Sequence, residues 1–226
     1  CFDHRRFTGR SSTFFAYEGL GSVYWHMVSK LVLAIQENHE WAIMRGAADQ
    51  TISSLANRYF ETIKGLGLYR EPRDYGAFPI DAYSHTPKHA GAQQPGMTGQ
   101  VKEDILTRLS ELGLKVRDGR ILFEPRLLRK NDFLKEPAVF EYVDVFGNSK
   151  SLALGLGQLA LTFCQTPFVM QIGDDWRIRI IITDGSELER DGEALLREES
   201  QSIFSRNATV SRVEVTLPES TLIIGN

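Results

Sequence analysis

The stretch Tyr17-Glu18-Gly19-Leu20-Gly21-Ser22-Val23-Tyr24-Trp25-His26 gathers a carboxylate, two glycines, three aromatic rings and a histidine. That composition suits a polar, ring-lined cleft better than a packed core. Glu18 stands just before a predicted helix, where the positive end of the helix dipole favours its ionised form. The glycines at 19 and 21 let backbone or ligand approach closely. Tyr17, Tyr24 and Trp25 are the ring types that grip a pyranose while a carboxyl group protonates or orients its hydroxyls. His26, in the first turns of the helix, can donate to an anion or a sugar hydroxyl near neutral pH.

A second concentration of polar and aromatic groups lies between Leu66 and Gly99. The segment from Tyr69 to Pro95 has neither helical nor strand period, and loops of that length in compact domains are usually functional or disordered. Its tyrosines, its histidines and Phe78 favour function, because disordered segments are poor in aromatics. His85 and His89 have a spacing that suits metal ligands on a helix. Pro87 between them breaks that helix, so with Asp81 and Gln94 they are read as polar groups lining a cleft. Arg70-Glu71-Pro72-Arg73-Asp74 is a charge cluster of the kind that is mostly solvated. Gln93 to Gln100 enters a third helix, and the free N–H groups there, with the Thr98 hydroxyl and Gly99, make an anion site. No Lys follows in the phosphate-loop pattern, which disfavours a nucleotide.

The elements that must position these groups follow from periodicity. Val23, Met27, Leu31 and Ile35 make one helical stripe, flanked by Tyr24, Val28 and Val32, predicted to end near Asn38-His39. A short apolar patch, Trp41 to Met44, follows. Ile52, Leu55, Tyr59 and Ile63 define a second helix that stops at Gly65-Leu66-Gly67, and the two make an αα-hairpin. Thr98 to Leu112 is a third helix, with Val101, Ile105, Leu109 and Leu112 as its apolar face and Gly113 as its stop.

After Gly113 the period changes. Leu114 to Phe123 is a hairpin turning at Asp118-Gly119. Strands are predicted over Val139–Phe146, Leu152–Phe163, Phe168–Ile172, Trp176–Thr183, Val210–Leu217 and Thr221–Ile224. Glu193 to Phe204 is a short acidic helix or an exposed loop. The expectation is an α+β chain, helical over residues 1–113, with an antiparallel β-sandwich over 114–226.

Composition excludes some partners. With 26 Lys and Arg against 29 Asp and Glu, and a net charge of −3, there is no basic surface for nucleic acid. No apolar run is long enough to span a bilayer. Cys1 and Cys164 match neither a metal spacing nor a disulfide framework, which favours a reducing, cytoplasmic setting.

Several pieces together resemble the C-terminal part of the six-hairpin glycosidases, most closely the cellobiose and chitobiose phosphorylase group. These are the helical hairpins, a last helix opened by Thr98-Gly99, and the passage from Gly113-Leu114 through Gly119-Arg120-Ile121-Leu122-Phe123-Glu124-Pro125 into strands. Glu18-Gly19-Leu20-Gly21…His26 is similar to that group's Glu-Asn-Gly-Gly…His, without the Asn and with the His one position further on. The resemblance implies the closing hairpins of an (α/α)6 barrel followed by a β-sandwich. It implies an enzyme that cleaves a glycosidic bond of an oligosaccharide by inverting phosphorolysis or by hydrolysis. His26, Thr98 and Gly99 would hold inorganic phosphate as co-substrate, with no other cofactor, and Glu18 would stand near the sugar. That group's general acid lies on an earlier barrel segment, so the expectation is a C-terminal piece of a longer protein, the upstream part being needed for activity. Of the carboxyls here, Glu18 comes first as a catalytic group and Asp81 next. A non-catalytic carbohydrate-binding or interaction protein is the alternative.

Overall fold

The structure, a computed structural model, describes residues 20–66 and 101–223. It is an α+β protein whose chain divides between Arg108 and Leu109 into two compact units.

In the first unit, helix α1 spans Leu20–Met44 and helix α2 Asp49–Leu66. The predicted stop at Asn38-His39 is overrun. Nothing in Glu40 to Met44 opposes the helix, and the first position needing left-handed backbone is Gly46, at φ 63°. There Ala47 N–H bonds to Ala42 C=O (2.9 Å) and Gly46 N–H to Ile43 C=O (3.0 Å), the paired bonds of a Schellman stop. The patch from Trp41 to Met44 is therefore the last turn of α1. The α2 stripe is as expected, with Tyr59 and Ile63 buried. Helix α3 spans Val101–Glu111.

The faces of α1 and α3 differ from expectation. On α1 the buried residues are Ser29, Val32, Gln36 and His39, while Leu31, in the predicted stripe, is 52 % exposed. The buried face is turned by about one residue, roughly 100°. On α3 the buried positions are Glu103, Thr107 and Glu111, and the predicted core residue Ile105 is 54 % exposed.

The second unit begins within α3, at Leu109, and Gly113, at φ 76°, ends that helix. Strands β1 (Leu114–Arg117) and β2 (Arg120–Phe123) form the expected hairpin. Its turn residues Asp118 and Gly119 both have positive φ, 51° and 70°, as a type I′ turn requires. A second hairpin joins β3 (Ala138–Val143) to β4 (Ser149–Leu154). The remaining strands are β5 (Gln158–Phe163), β6 (Thr166–Gly173), β7 (Arg177–Ile182), β8 (Glu187–Asp191) and β9 (Val210–Pro218). They form one sheet in the order β5-β6-β9-β7-β8. Helix α4 (Arg197–Phe204) lies between β8 and β9 in the chain.

This sheet is mixed rather than antiparallel, because β6 and β9 pair in parallel. The long connection through β7, β8 and α4 permits that, since only a crossover can join parallel neighbours. Other boundaries also shift. The stretch from Leu152 to Phe163 is two strands, broken at Gly155-Leu156-Gly157, with Gly157 at φ 74°. The expected strand over Thr221–Ile224 is instead a single turn of 3-10 helix, Glu219–Thr221, and one bridge between Ile223 and Arg129. Strand β8 was not expected, since its Glu, Arg and Asp hide the period-two signal.

One face of the sheet carries Phe168, Met170, Ile178, Ile180, Val213, Val215 and Leu217 into the core, where hairpin β1–β2 supplies Ile121 and Phe123 and α4 supplies Ile203. Cross-strand register brings Phe168 opposite Val213 and Val215 opposite Ile178, so the apolar residues share a side. The hairpin is tied down through backbone: Phe123 N–H donates to Glu193 C=O (2.8 Å) and Leu195 N–H to Ile121 C=O (2.9 Å). Ser200 of α4 accepts from Ile121 N–H at 3.0 Å and is fully buried.

Candidate functional site

Glu18, Tyr17, Asp81, His85, His89, Gln94, Thr98 and Gly99 lie outside the described residues. Tyr24, Trp25 and His26 fall within α1, so the expectation that they ride on a helix holds for their backbone. One turn further along, the buried face of that helix is largely polar, with Val32 as its apolar member. Gln36 and His39 are 1 % exposed and Ser29 2 %; on α3, Glu103 is 2 % exposed. Burying such groups is costly unless each is bonded.

Two bonds organise this polar seam. The Gln36 side-chain amide donates to the Thr107 carbonyl at 3.0 Å and joins α1 to α3. The Thr107 hydroxyl turns back onto its own helix and donates to the Glu103 carbonyl at 2.8 Å. The Ser29 hydroxyl is buried without a hydrogen-bond partner. Serine, glutamine and histidine at 29, 36 and 39 recur at helical spacing. The same helix carries the more apolar stripe of Val23, Met27, Leu31 and Ile35 beside them.

Other apolar residues of these helices are exposed. Trp41 is 55 % and Met44 68 % exposed, and Leu106 46 %. Between α1 and α2 runs a groove of about 420 Å³ lined chiefly by Leu31, Ala34, Ile35, Trp41, Ala42 and Leu55. At its rim the Arg45 guanidinium sits 4.6 Å from the centre of the Trp41 ring, a cation–π contact.

The second unit offers a different surface. The sheet face opposite the core carries a shallow depression of about 190 Å³ lined by Gln171, Arg177, Arg179, Glu189, Glu214 and Thr216. Arg179 pairs with Glu214 and, at 3.4 Å, with Glu187, and Arg177 pairs with Glu189 at 3.3 Å. The hydrogen bond from Arg179 to Glu214 and the attraction between their charges raise the arginine further above its ordinary value. Gln171 donates to the Thr216 hydroxyl at 3.1 Å. The face thus presents paired hydrogen-bond donors and acceptors of both charge signs. Neither surface was foreseen.

Among the described residues no group of three or more His, Cys, Asp or Glu is placed to hold a metal ion, and no helix is long and apolar enough to cross a membrane. No protein-family model matches the chain, and no curated protein matches it.

Proposed function

We propose that this chain is part of a carbohydrate-active enzyme that cleaves glycosidic bonds in an oligosaccharide. The helices up to Gly113 would contribute to an (α/α)6 barrel, and the residues after it to a β-sandwich. The observation that carries this reading is the largely polar buried face of α1 and α3, although α1 also buries Val32 and α2 buries Ala56, Tyr59 and Ile63. Ser29, Gln36, His39, Glu103 and Thr107 are buried, while Leu31, Trp41, Met44, Ile105 and Leu106 are exposed. A self-contained helical bundle buries its apolar stripes. Helices set in a ring around a polar centre need polar groups inward and apolar cover from neighbouring helices outward. The same polypeptide, upstream, would supply that cover.

In this reading Glu18 is the catalytic carboxyl that this chain contributes first, with Asp81 second. Tyr17, Tyr24, Trp25, His85, His89 and Gln94 line the sugar site, and His26, Thr98 and Gly99 receive phosphate when phosphate is the nucleophile. An inverting displacement with water needs two carboxyls about 6.5–9.5 Å apart; the partner of Glu18 would come from an earlier segment. Glu18→Gln in the longer polypeptide is expected to lower oligosaccharide turnover at least about a hundredfold, with folding intact, as loss of general acid–base help does. Unchanged turnover removes Glu18 from the mechanism. Release of a sugar 1-phosphate only when phosphate is present identifies phosphorolysis; reducing sugar released without phosphate identifies hydrolysis.

A second reading, binding without cleavage, is favoured by one observation. The depression on the outer sheet face mixes donors (Gln171, Arg177) with acceptors (Glu189, Thr216) and balances its charges, which fits a neutral polyol better than an anion. Saturable oligosaccharide binding, with no bond cleaved by the complete protein, would select it.

A further inference from the structure

We propose that strand β3 pairs edge to edge with β3 of a second copy of this chain, about a two-fold axis, giving a four-stranded sheet ordered β4-β3-β3-β4. Hairpin β3–β4 forms a sheet of its own, so each of its strands has one side without a strand neighbour among the described residues. The ladder shows which groups lie on that side. Asp144 N–H bonds to Asn148 C=O at 2.9 Å, one step beyond the pair Val143 and Ser149. Hydrogen-bonded pairs alternate along an antiparallel ladder. Tyr142, Phe140 and Ala138 therefore bond to β4, and the N–H and C=O groups of Val139, Glu141 and Val143 point away from it. Among the described residues no backbone group from outside the hairpin bonds to those three.

An open edge is a template for another strand unless something guards it. The other strands of this unit carry such guards. β8 reads Glu187-Leu188-Glu189-Arg190-Asp191, almost entirely charged. β5 is closed at its start, where Leu134 N–H bonds to Gln158 C=O (2.9 Å) and Gly157 N–H to Leu134 C=O (2.8 Å). β1 carries Lys115 and Arg117, β2 is bridged to Ala194, and β4 carries Lys150. β3 instead sets two exposed valines, Val139 and Val143, beside a single charge, Glu141.

Sequence and register select a second copy as the occupant. In a two-fold antiparallel pair that matches outward groups with outward groups, one residue faces itself. Centring on Glu141 sets like charges opposite each other, which is destabilising. Centring on Val139 sets Glu141 against Pro137, which has no N–H to give. Centring on Tyr142 sets Phe140 against Asp144, whose carboxylate already accepts from the Phe146 and Asn148 N–H groups. Centring on Val143 runs half the strand past the turn. Centring on Phe140 has none of these faults. Val139 of each copy then exchanges both backbone bonds with Glu141 of the other, and the small Ala138 faces Tyr142. Phe140 and Tyr142 already stack within one chain, 5.9 Å between ring centres and 14° between planes, so the axis joins two such pairs into a row of four rings. A contact between two short strands is smaller than a standard interface, which makes the dimer weak and dependent on concentration.

The test is Glu141→Pro in the longest polypeptide containing this chain. It deletes an N–H on the outer side and leaves the β3–β4 ladder its own bonds. Sedimentation velocity from micromolar to millimolar protein gives the mass, and amide hydrogen exchange at both ends of that range gives the contact. The expected result is a monomer that becomes a dimer as concentration rises, with the Val139 and Glu141 amides slowing and the Tyr142 amide unchanged. Glu141→Pro, which removes one such bond from each copy, should weaken the dimer at least about tenfold. A chain that stays monomeric throughout overturns the pairing and leaves the edge to an extended segment of another protein. A dimer whose Val139 and Glu141 amides exchange as in the monomer uses another face and overturns it as well, as does a dimer that Glu141→Pro leaves unchanged. Growth beyond two copies overturns the two-fold register, because a closed axis stops at a dimer. Should Glu141→Pro unfold the hairpin, seen as lost protection at Tyr142, Val139→Pro removes the neighbouring outward N–H and is read in the same way.

Discussion

Replacing Gly113 by alanine tests the close backbone approach between Gly113 and Pro125 in the second unit. Gly113 has φ +76°, where an L side chain costs about 1–2 kcal/mol. A Cβ there would also lie 2.5 Å from Pro125 N and 2.7 Å from the Glu124 carbonyl carbon, and closer still to Pro125 Cα. These are backbone atoms with no rotamer to change. Relief requires Pro125 to retreat, which opens the 2.6 Å bond from Glu124 N–H to Gly113 C=O. Overpacking of this kind costs about 1–3 kcal/mol, and the bond about 1 kcal/mol. The total is roughly 3–6 kcal/mol. Gly157 is the control, with φ +74° and no heavy atom within 4 Å of its would-be Cβ. Gly157→Ala should cost only the backbone share, about 1–2 kcal/mol. Any gain from a stiffer unfolded chain is common to both substitutions and cancels in the difference. Urea unfolding followed by far-ultraviolet circular dichroism should place the Gly113→Ala midpoint below the Gly157→Ala midpoint by about 1 M or more. Equal midpoints would refute the reasoning, because the two sites differ only in what stands beside the added methyl group.

Two further outcomes follow from the same structure. Ser29→Ala removes a buried hydroxyl that has no partner; thermal unfolding should show no loss of stability and a gain of up to about 1 kcal/mol, since the desolvation cost disappears with the group. Asp144 closes the β3–β4 turn by accepting from Asn148 N–H at 2.8 Å and Phe146 N–H at 2.9 Å. Partial burial pushes its carboxyl up, but those N–H groups, the Asn148 side chain and the Lys150 charge outweigh it and hold the group below the ordinary 3.8. A depressed folded value means the stabilisation is complete above the ordinary carboxylate range and fades as pH falls through the lowered value. Amide exchange at Phe146 and Asn148 should accelerate, beyond the intrinsic trend, only below about pH 4, and Asp144→Asn should abolish that acid-dependent step.

Local chemistry made much of this fold readable in advance. Asp118-Gly119 could only be a tight hairpin turn between alternating residues, because two successive left-handed positions are cheap for that pair. Gly113 marked the helix stop for a similar reason, although its clash with Pro125 was invisible in the sequence. The α2 stripe of Ile52, Leu55, Tyr59 and Ile63 named its own buried side. Glu18, His26 and the groups from Asp81 to Gly99 were picked out by residue type and spacing, and their roles rest on that and on the resemblance.

Tertiary structure alone decided which face of α1 and α3 turns inward. Periodicity reports that a helix is amphipathic, and burial depends on what stands opposite. Here Gln36 found a carbonyl on α3, and Leu31 and Ile105 were left outside. The parallel pairing of β6 with β9 was equally hidden, because a strand's alternation is the same whichever direction its neighbour runs. Strand β8 shows the limit from the other side. Glu187, Glu189 and Arg190 carry no apolar rhythm, and Glu187-Leu188-Glu189-Arg190-Asp191 is a strand because β7 offers it a hydrogen-bonding edge with Arg177 and Arg179 to meet its carboxylates.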